Sequence, residues 1–213
     1  MMNNRIHALP GMGADRRMFP EPWSQLPGFT AHDWPDYHEE STLNEMARSF
    51  CESSGIRDGD SLVGASLGGM VACEIAKLKK IRSLYLVGSA IHKAEINQLL
   101  AALHPLVSIA PLQWIKFSSG KIPADLAQMF AETNPRFVRA MCAAIFHWEG
   151  LQPSQTTCFR IHGLRDRVIP LPESVDLTLD GGHLIAMSHA KECVEFIRER
   201  EQAADTNLAG NVL

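Results

Sequence analysis

The chain has no long apolar run. None of its stretches approaches the roughly eighteen residues that a membrane span requires, so no membrane partner is expected. It also has no run of Lys and Arg, and the net charge over its 213 residues is -4. Nucleic acid and anionic surfaces are bound through basic stripes, so a nucleic-acid partner is not expected either. The opening Met1-Met2-Asn3-Asn4-Arg5-Ile6-His7 contains no apolar h-region, which argues against a secretory leader. The five cysteines (Cys51, Cys73, Cys142, Cys158, Cys193) are odd in number and never form a C-x-x-C pair. Four of them sit in periodic apolar patterns, the signature of buried free thiols in a reducing, cytoplasmic setting. No His-x-x-x-His pair or carboxylate cluster has metal-binding spacing, so no metal is expected. There is no internal repeat and no low-complexity block. What remains is 46% hydrophobic and 21% charged, ordinary values for a globular domain with one well-buried core.

Short apolar segments alternate with helical patterns along that domain. Arg5 to Leu9 and Phe29 to Trp34 read as strands, the second stopped by Pro35. Thr42-Leu43-Asn44-Glu45 has the capping-box form, hydroxyl first and carboxylate three residues on. It opens a helix to about Ser54, with Leu43, Met46, Ala47 and Phe50 as the apolar stripe. Ser61 to Val63 is a strand, and a helix runs from about Gly68 to Lys79. Ser83 to Gly88 and Cys158 to Gly163 are apolar without alternation, as buried parallel strands are. Val175 to Leu179 reads as a last strand, and Leu184 to about Glu199 as an amphipathic helix. This order predicts an α/β fold, a mostly parallel sheet of about six strands flanked by helices. Residues 1–90 and 154–200 would form that core.

Residues 91–153 break the alternation. They are helical in pattern, rich in Leu, Ile, Met, Phe and Trp, and punctuated by Pro105, Pro111, Pro123 and Pro135. The segment lies between strands and reads as a helical lid insertion over a site; the alternative is extra helices packed on the sheet edge. From Glu201 onward the chain turns polar and small, so residues 201–213 are expected to form a flexible tail. Between Asp166 and the last strand only Pro170-Leu171-Pro172-Glu173-Ser174 remains, too short for a crossover helix. A parallel pair needs a connection of about a dozen residues or more, so the local topology there stays open.

One motif stands out against this background. Gly64-Ala65-Ser66-Leu67-Gly68 has the form G-x-S-x-G, in which a serine occupies a sharp strand-to-helix turn. Small residues on either side let strand and helix approach, and the turn lifts the hydroxyl above the sheet beside the N–H groups of the helix start. If that reading of the motif holds, a serine-dependent hydrolase is expected. Open parallel sheets bind ligands at the carboxyl ends of their strands. Other strand ends here carry Gly11-Met12-Gly13, Asp166 and His183, and the chain order of the polar groups is Ser, Asp, His. Each has a rival reading. Ser66 could be a small turn residue, and Asp166 a surface-turn residue in Arg165-Asp166-Arg167, although the following Val168-Ile169-Pro170 favours a catalytic acid. Asp180 competes as the acid but stands only three residues before His183. His189 competes as the base but falls on the charged side of the last helix, and His162 reads as a structural strand-end residue.

With these residues in view, the sequence resembles the α/β-hydrolase family over most of its length, and small bacterial members with a compact sheet in particular. Leu9-Pro10-Gly11-Met12-Gly13 is similar to the family's oxyanion loop, and Val63-Gly64-Ala65-Ser66-Leu67-Gly68-Gly69 to its elbow. Ile161 to Pro170 is similar to its acid loop and Gly181-Gly182-His183 to its histidine turn. The resemblance implies a reduced α/β-hydrolase fold without the two leading strands of larger relatives. It implies Ser66 as nucleophile, His183 as general base, Asp166 as the acid that orients it, and the N–H groups of Met12 and Leu67 as oxyanion donors. It implies no cofactor and a small-molecule substrate. The apolar insertion suggests a carboxylic ester with a small or medium apolar acyl group. A thioester or an amide would use the same machinery. Proton abstraction in an elimination or C–C cleavage, and a non-catalytic binding module on the same scaffold, are the other readings.

Overall fold

The computed structural model describes residues 5–96, 124–151 and 156–210. Its centre is a six-stranded, wholly parallel sheet in the order β2-β1-β3-β4-β5-β6. The strands are β1 (Ile6–Leu9), β2 (Phe29–Ala31), β3 (Ser61–Ala65), β4 (Ser83–Val87), β5 (Thr157–Gly163) and β6 (Leu177–Leu179). The helices are α1 (Leu43–Ser54), α2 (Leu67–Leu78), α3 (Ala124–Glu132), α4 (Pro135–His147), α5 (Ile185–Ser188) and α6 (Ala190–Gly210).

The central strands β1, β3 and β4 are buried throughout, which is why their sequences carry no alternation. Alternate residues nonetheless serve different cores. Leu9, Leu62, Leu84 and Leu86 face one side with α1, α2 and α4. Ile6, Ala8, Val63, Tyr85, Val87 and Ile161 face the other, with Trp23 and the first turns of α6. The capping box at α1 forms as its sequence predicts: Thr42 Oγ1 accepts from the Glu45 amide at 3.1 Å, and Glu45 Oε2 accepts from the Thr42 amide at 3.2 Å. Such a cap is worth about 0.5–2 kcal/mol.

The β5–β6 connection, residues 164–176, contains no helix, yet β6 still lies parallel to β5 with Ile161 opposite Leu177. The turn is held by side chain to backbone bonds instead. Asp166 Oδ1 accepts from the amides of Val168 (2.8 Å) and Ile169 (3.0 Å), which sends the chain back over the sheet and buries Ile169 beside α2. At the far end the Asp176 carboxylate accepts from the Arg160 amide at 2.7 Å, and the Asp176 amide donates to the Arg160 carbonyl at 2.9 Å.

The end of the chain departs from expectation. The amphipathic segment breaks at His189 into the short α5 and then α6, and α6 runs on to Gly210, so residues 201–210 are helix and not a flexible tail. Part of its polarity is used internally. Glu201 is buried, and its Oε1 accepts from both Ser61 Oγ and Tyr85 Oη at 2.8 Å. Arg82 donates to the Glu201 carbonyl at 3.1 Å and pairs with Asp205 at 2.7 Å. Burial and the neighbouring carboxylate push the Tyr85 phenol well up, so it stays a donor. Residues 97–123, the middle of the expected insertion, lie outside the described residues. Its last part forms α3 and α4, and α4 docks on α2 where Trp148 Nε1 donates to the buried Glu74 Oε1 at 2.8 Å. Among the described residues no helix is long and apolar enough to cross a membrane.

Next to the β1–β2 edge the buried His7 pairs with the half-buried His32. The rings of His7 and His32 stack at 5.1 Å, with His7 Nδ1 2.8 Å from His32 Nε2 and His7 Nε2 3.2 Å from Asp60 Oδ2. A neutral His32 donating to a neutral His7, which in turn donates to Asp60, satisfies the chain. Burial lowers both groups. The charge of His7 adds to this for His32 and brings it to about 4 from 6.5, with Asp33 opposing. For His7, Asp60 opposes burial and Arg5 assists it. A base with a depressed folded value binds its proton more readily unfolded, so stability is full above about 6.5 and is lost as pH falls towards about 4. Thermal melts should therefore decline over that window, and His32→Gln, which keeps a neutral donor to His7, should flatten the decline. An unchanged slope in the variant would show that other groups control it.

Candidate active site

β3 passes into α2 through a single residue, Ser66, whose φ and ψ are 50° and -120°. For a non-glycine residue this backbone costs on the order of 1–3 kcal/mol and must be held by its surroundings. The Ser66 amide donates to the Val87 carbonyl at 3.1 Å, and its carbonyl accepts from the Gly69 amide at 3.0 Å. Strand and helix come close enough that a Cβ on Gly64 would lie 2.3 Å from the Gly69 Cα. A Cβ on Gly68 would lie 2.3 Å from the Leu9 carbonyl oxygen and 2.4 Å from that of Pro10. Gly68 thus sets the distance between α2 and the loop after β1.

His183 follows β6 by a glycine turn and meets this serine. Its Nε2 is 2.9 Å from Ser66 Oγ, and its Nδ1 is 2.8 Å from Asp166 Oδ2. Ser66 is half-buried while His183 and Asp166 are buried, which leaves the hydroxyl as the accessible end of the chain of groups. Burial alone would raise the Asp166 carboxyl. The His183 charge, hydrogen bonds from His162 and His183, and the Ile169 amide outweigh it and hold the carboxyl well below the usual range. Asp166 is therefore an anion throughout neutral and mildly acidic pH. His162 contributes from beneath: its Nε2 lies 3.4 Å from Asp166 Oδ2 and 2.7 Å from the Ile169 carbonyl.

The rival residues lie apart. Asp180 pairs with Arg165 at 3.0 Å on the surface, and His189 sits against Ser188 Oγ at 2.8 Å in the break between α5 and α6. Met12 and Leu67 flank Ser66 from the loop after β1 and the start of α2, and among the described residues neither amide has a protein acceptor. Helices α3 and α4 rest on the same loop. A Cβ on Gly13 would lie 2.2 Å from the Phe130 ring of α3, and Cys142 Sγ of α4 is 3.5 Å from Met12 Sδ. Burial pushes the Cys142 thiol up to about 11, so it is a neutral packing group. Among the described residues no group of three or more His, Cys, Asp or Glu could hold a metal ion.

A family model described as the alpha/beta hydrolase family matches residues 6–196. The chain belongs to this family. Among solved structures, this alpha/beta hydrolase is similar to a thermophilic esterase from Thermogutta terrifontis, with 18% identity, 94% of this chain and 90% of that chain covered, and a TM-score of 0.70. It is similar to a hydrolase from Oleispira antarctica (13% identity, 93% and 91% covered, TM-score 0.75). An esterase from Exiguobacterium antarcticum aligns at 16% identity over 92% and 91%, with a TM-score of 0.71. At these identities the likeness shows the fold. Among curated proteins none matches the chain.

Sequence reasoning overlooked two residues beside the site, Trp34 after β2 and Ser89 after β4. Trp34 Nε1 donates to the Gly11 carbonyl at 3.1 Å, and Ser89 Oγ to the Ser66 carbonyl at 2.7 Å. The strand-end rule that singled out Ser66, Asp166 and His183 covers them equally. For this alpha/beta hydrolase the close approach at Gly68 makes a direct prediction. Gly68→Ala should lower the urea midpoint by an amount equivalent to ~1–3 kcal/mol, the usual cost of overpacking. A variant as stable as the parent would mean that α2 and the loop after β1 can move apart freely.

Proposed function

We propose that this protein is a serine hydrolase that cleaves a carboxylic ester through an acyl-serine intermediate. The observation that carries the reading is the unbroken chain from Ser66 Oγ through the His183 imidazole to the Asp166 carboxylate, at 2.9 and 2.8 Å. Hydroxyl alone is a poor nucleophile, and an adjacent base corrects this. As Ser66 Oγ attacks the ester carbonyl carbon, its proton passes to His183 Nε2. Asp166 accepts from Nδ1–H, fixes the tautomer, and stabilises the imidazolium without taking the proton. The carbonyl oxygen becomes an oxyanion held by the amides of Met12 and Leu67, with the α2 N-terminus adding its dipole. The tetrahedral species collapses as the bond to the leaving oxygen breaks, and that oxygen takes the proton from Nε2. Water then attacks the acyl carbon, giving its proton to the same nitrogen, and releases the acid and free Ser66.

Family membership and the esterase neighbours from Thermogutta terrifontis and Exiguobacterium antarcticum favour an ester over other acyl substrates. An acyl group of small or medium size and apolar character suits the side chains beside the site, Met12, Phe130 and Cys142 among them. A lid role for residues 91–153 belongs to the same reading: α3 and α4 cover the Met12 loop, where they would exclude water from the acyl-enzyme.

Intact mass after exposure to a fluorophosphonate tests the proposal. Wild type should gain one adduct, and Ser66→Ala should gain none. On p-nitrophenyl butyrate, Asp166→Asn should keep its fold and lose about 10³–10⁴ in kcat, the penalty for a wrong imidazole tautomer. Folded wild type that takes no label and turns over no ester would point to a binding module.

A further inference from the structure

Resting on the reading of Ser66 as nucleophile and of Met12 and Leu67 as oxyanion donors, we propose that Trp34 and Ser89 are positioning residues. They aim and polarise those two donor amides from behind. A trans peptide unit is planar, and its C=O and N–H point in opposite directions. The N–H of Leu67 shares its unit with the carbonyl of Ser66, and the N–H of Met12 shares its unit with the carbonyl of Gly11. Neither unit is cis. Whatever holds each carbonyl therefore sets the direction of the N–H on the opposite side, the one that the proposed function turns towards the oxyanion.

Each carbonyl is held by a side-chain donor from a neighbouring strand end. Ser89 is buried, with its hydroxyl 2.7 Å from the Ser66 oxygen. Gly69 makes room for it, since a Cβ there would lie 2.3 Å from Ser89 Oγ. Trp34 Nε1 lies 3.1 Å from the Gly11 oxygen. Its ring is clamped by Phe50, edge-on at 5.8 Å, and by Phe137 of α4, tilted at 5.2 Å. A hydrogen bond accepted at the oxygen end of an amide also strengthens the bond its N–H can donate. That gain appears when negative charge develops on the substrate oxygen, so it lowers the barrier and leaves ground-state binding almost unchanged. Backbone amides share the load, Gly69 N–H at 3.0 Å on the Ser66 oxygen and Ala14 N–H at 3.2 Å on that of Gly11. The side chains thus contribute less than a whole oxyanion donor does.

The test uses Trp34→Phe, Ser89→Ala and the double variant, with folding checked by circular dichroism and melting. Turnover of p-nitrophenyl butyrate and the rate of fluorophosphonate labelling are measured together, because the phosphonyl oxygen occupies the same hole. Each single variant should lose about tenfold in kcat, below the hundredfold or more of a lost donor. KM should stay within about twofold, since only transition-state contacts are affected. Labelling should slow in step, and the double variant should lose more than either single variant, with the two effects coupled because both amides serve one oxyanion. Variants with full kcat, or with loss confined to KM, would overturn the assignment. Should Trp34→Phe fail to fold, Ser89→Ala alone decides. Wild type inert to both ester and phosphonate would remove the Ser66 reading and this inference with it. Active wild type with equally active variants would remove this inference alone.

Discussion

The turn at Ser66 is the constraint on which the rest of the site depends. A buried strand must enter a buried helix through a single residue, and that residue must be a serine in a backbone region that glycine would occupy more cheaply. Nothing local favours it. The turn persists because β3 is paired on both sides, because α2 is packed into the core on one face of the sheet, and because Gly64 and Gly68 let the two elements touch. The same close approach places the first amides of α2 beside the hydroxyl. Strain at one residue is thereby exchanged for a fixed hydroxyl and a fixed N–H beside it.

Around that turn the sheet works as a jig. Parallel strands β1, β3, β4, β5 and β6 all end at one edge, and the residues just past those ends are Gly11 and Met12, Ser66, Ser89, Asp166 and His183. Ser89, Ser66, His183 and Asp166 are far apart in sequence and joined by hydrogen bonds in space. Asp166 illustrates how economical the arrangement is. One oxygen of its carboxylate turns the β5–β6 loop by accepting two amides, and the other faces His183. The charge of His183 and the hydrogen bonds from His162 and His183 keep this carboxyl ionised, and the Ile169 amide of the loop adds to them.

Much of this was legible in the sequence. Unalternating apolar runs marked the parallel strands, the capping box marked the start of α1, and G-x-S-x-G marked the elbow, because each of these signals reflects a local requirement of backbone or burial. The order Ser, Asp, His was legible too. Trp34 and Ser89 stand at strand ends that the same rule covers, but the carbonyls they bond were not legible, since such a contact leaves no periodicity and no spacing. Glu201 misled for a related reason: a polar residue reads as solvent-facing until Ser61 and Tyr85 are seen to donate to it.

What the sequence by itself determined is the set of elements, their parallel class and the identity of the residues at the strand ends. These follow from hydrophobic pattern, capping and the steric demands of glycine, all of which act over a few residues. What only the tertiary structure decided is which of those strand-end residues meet. It brought Asp166 and His183 to Ser66, laid β6 parallel to β5 without a helix, and extended α6 to Gly210. Those outcomes depend on pairing between strands and on buried polar groups finding partners across the chain, and such partners are fixed by packing alone.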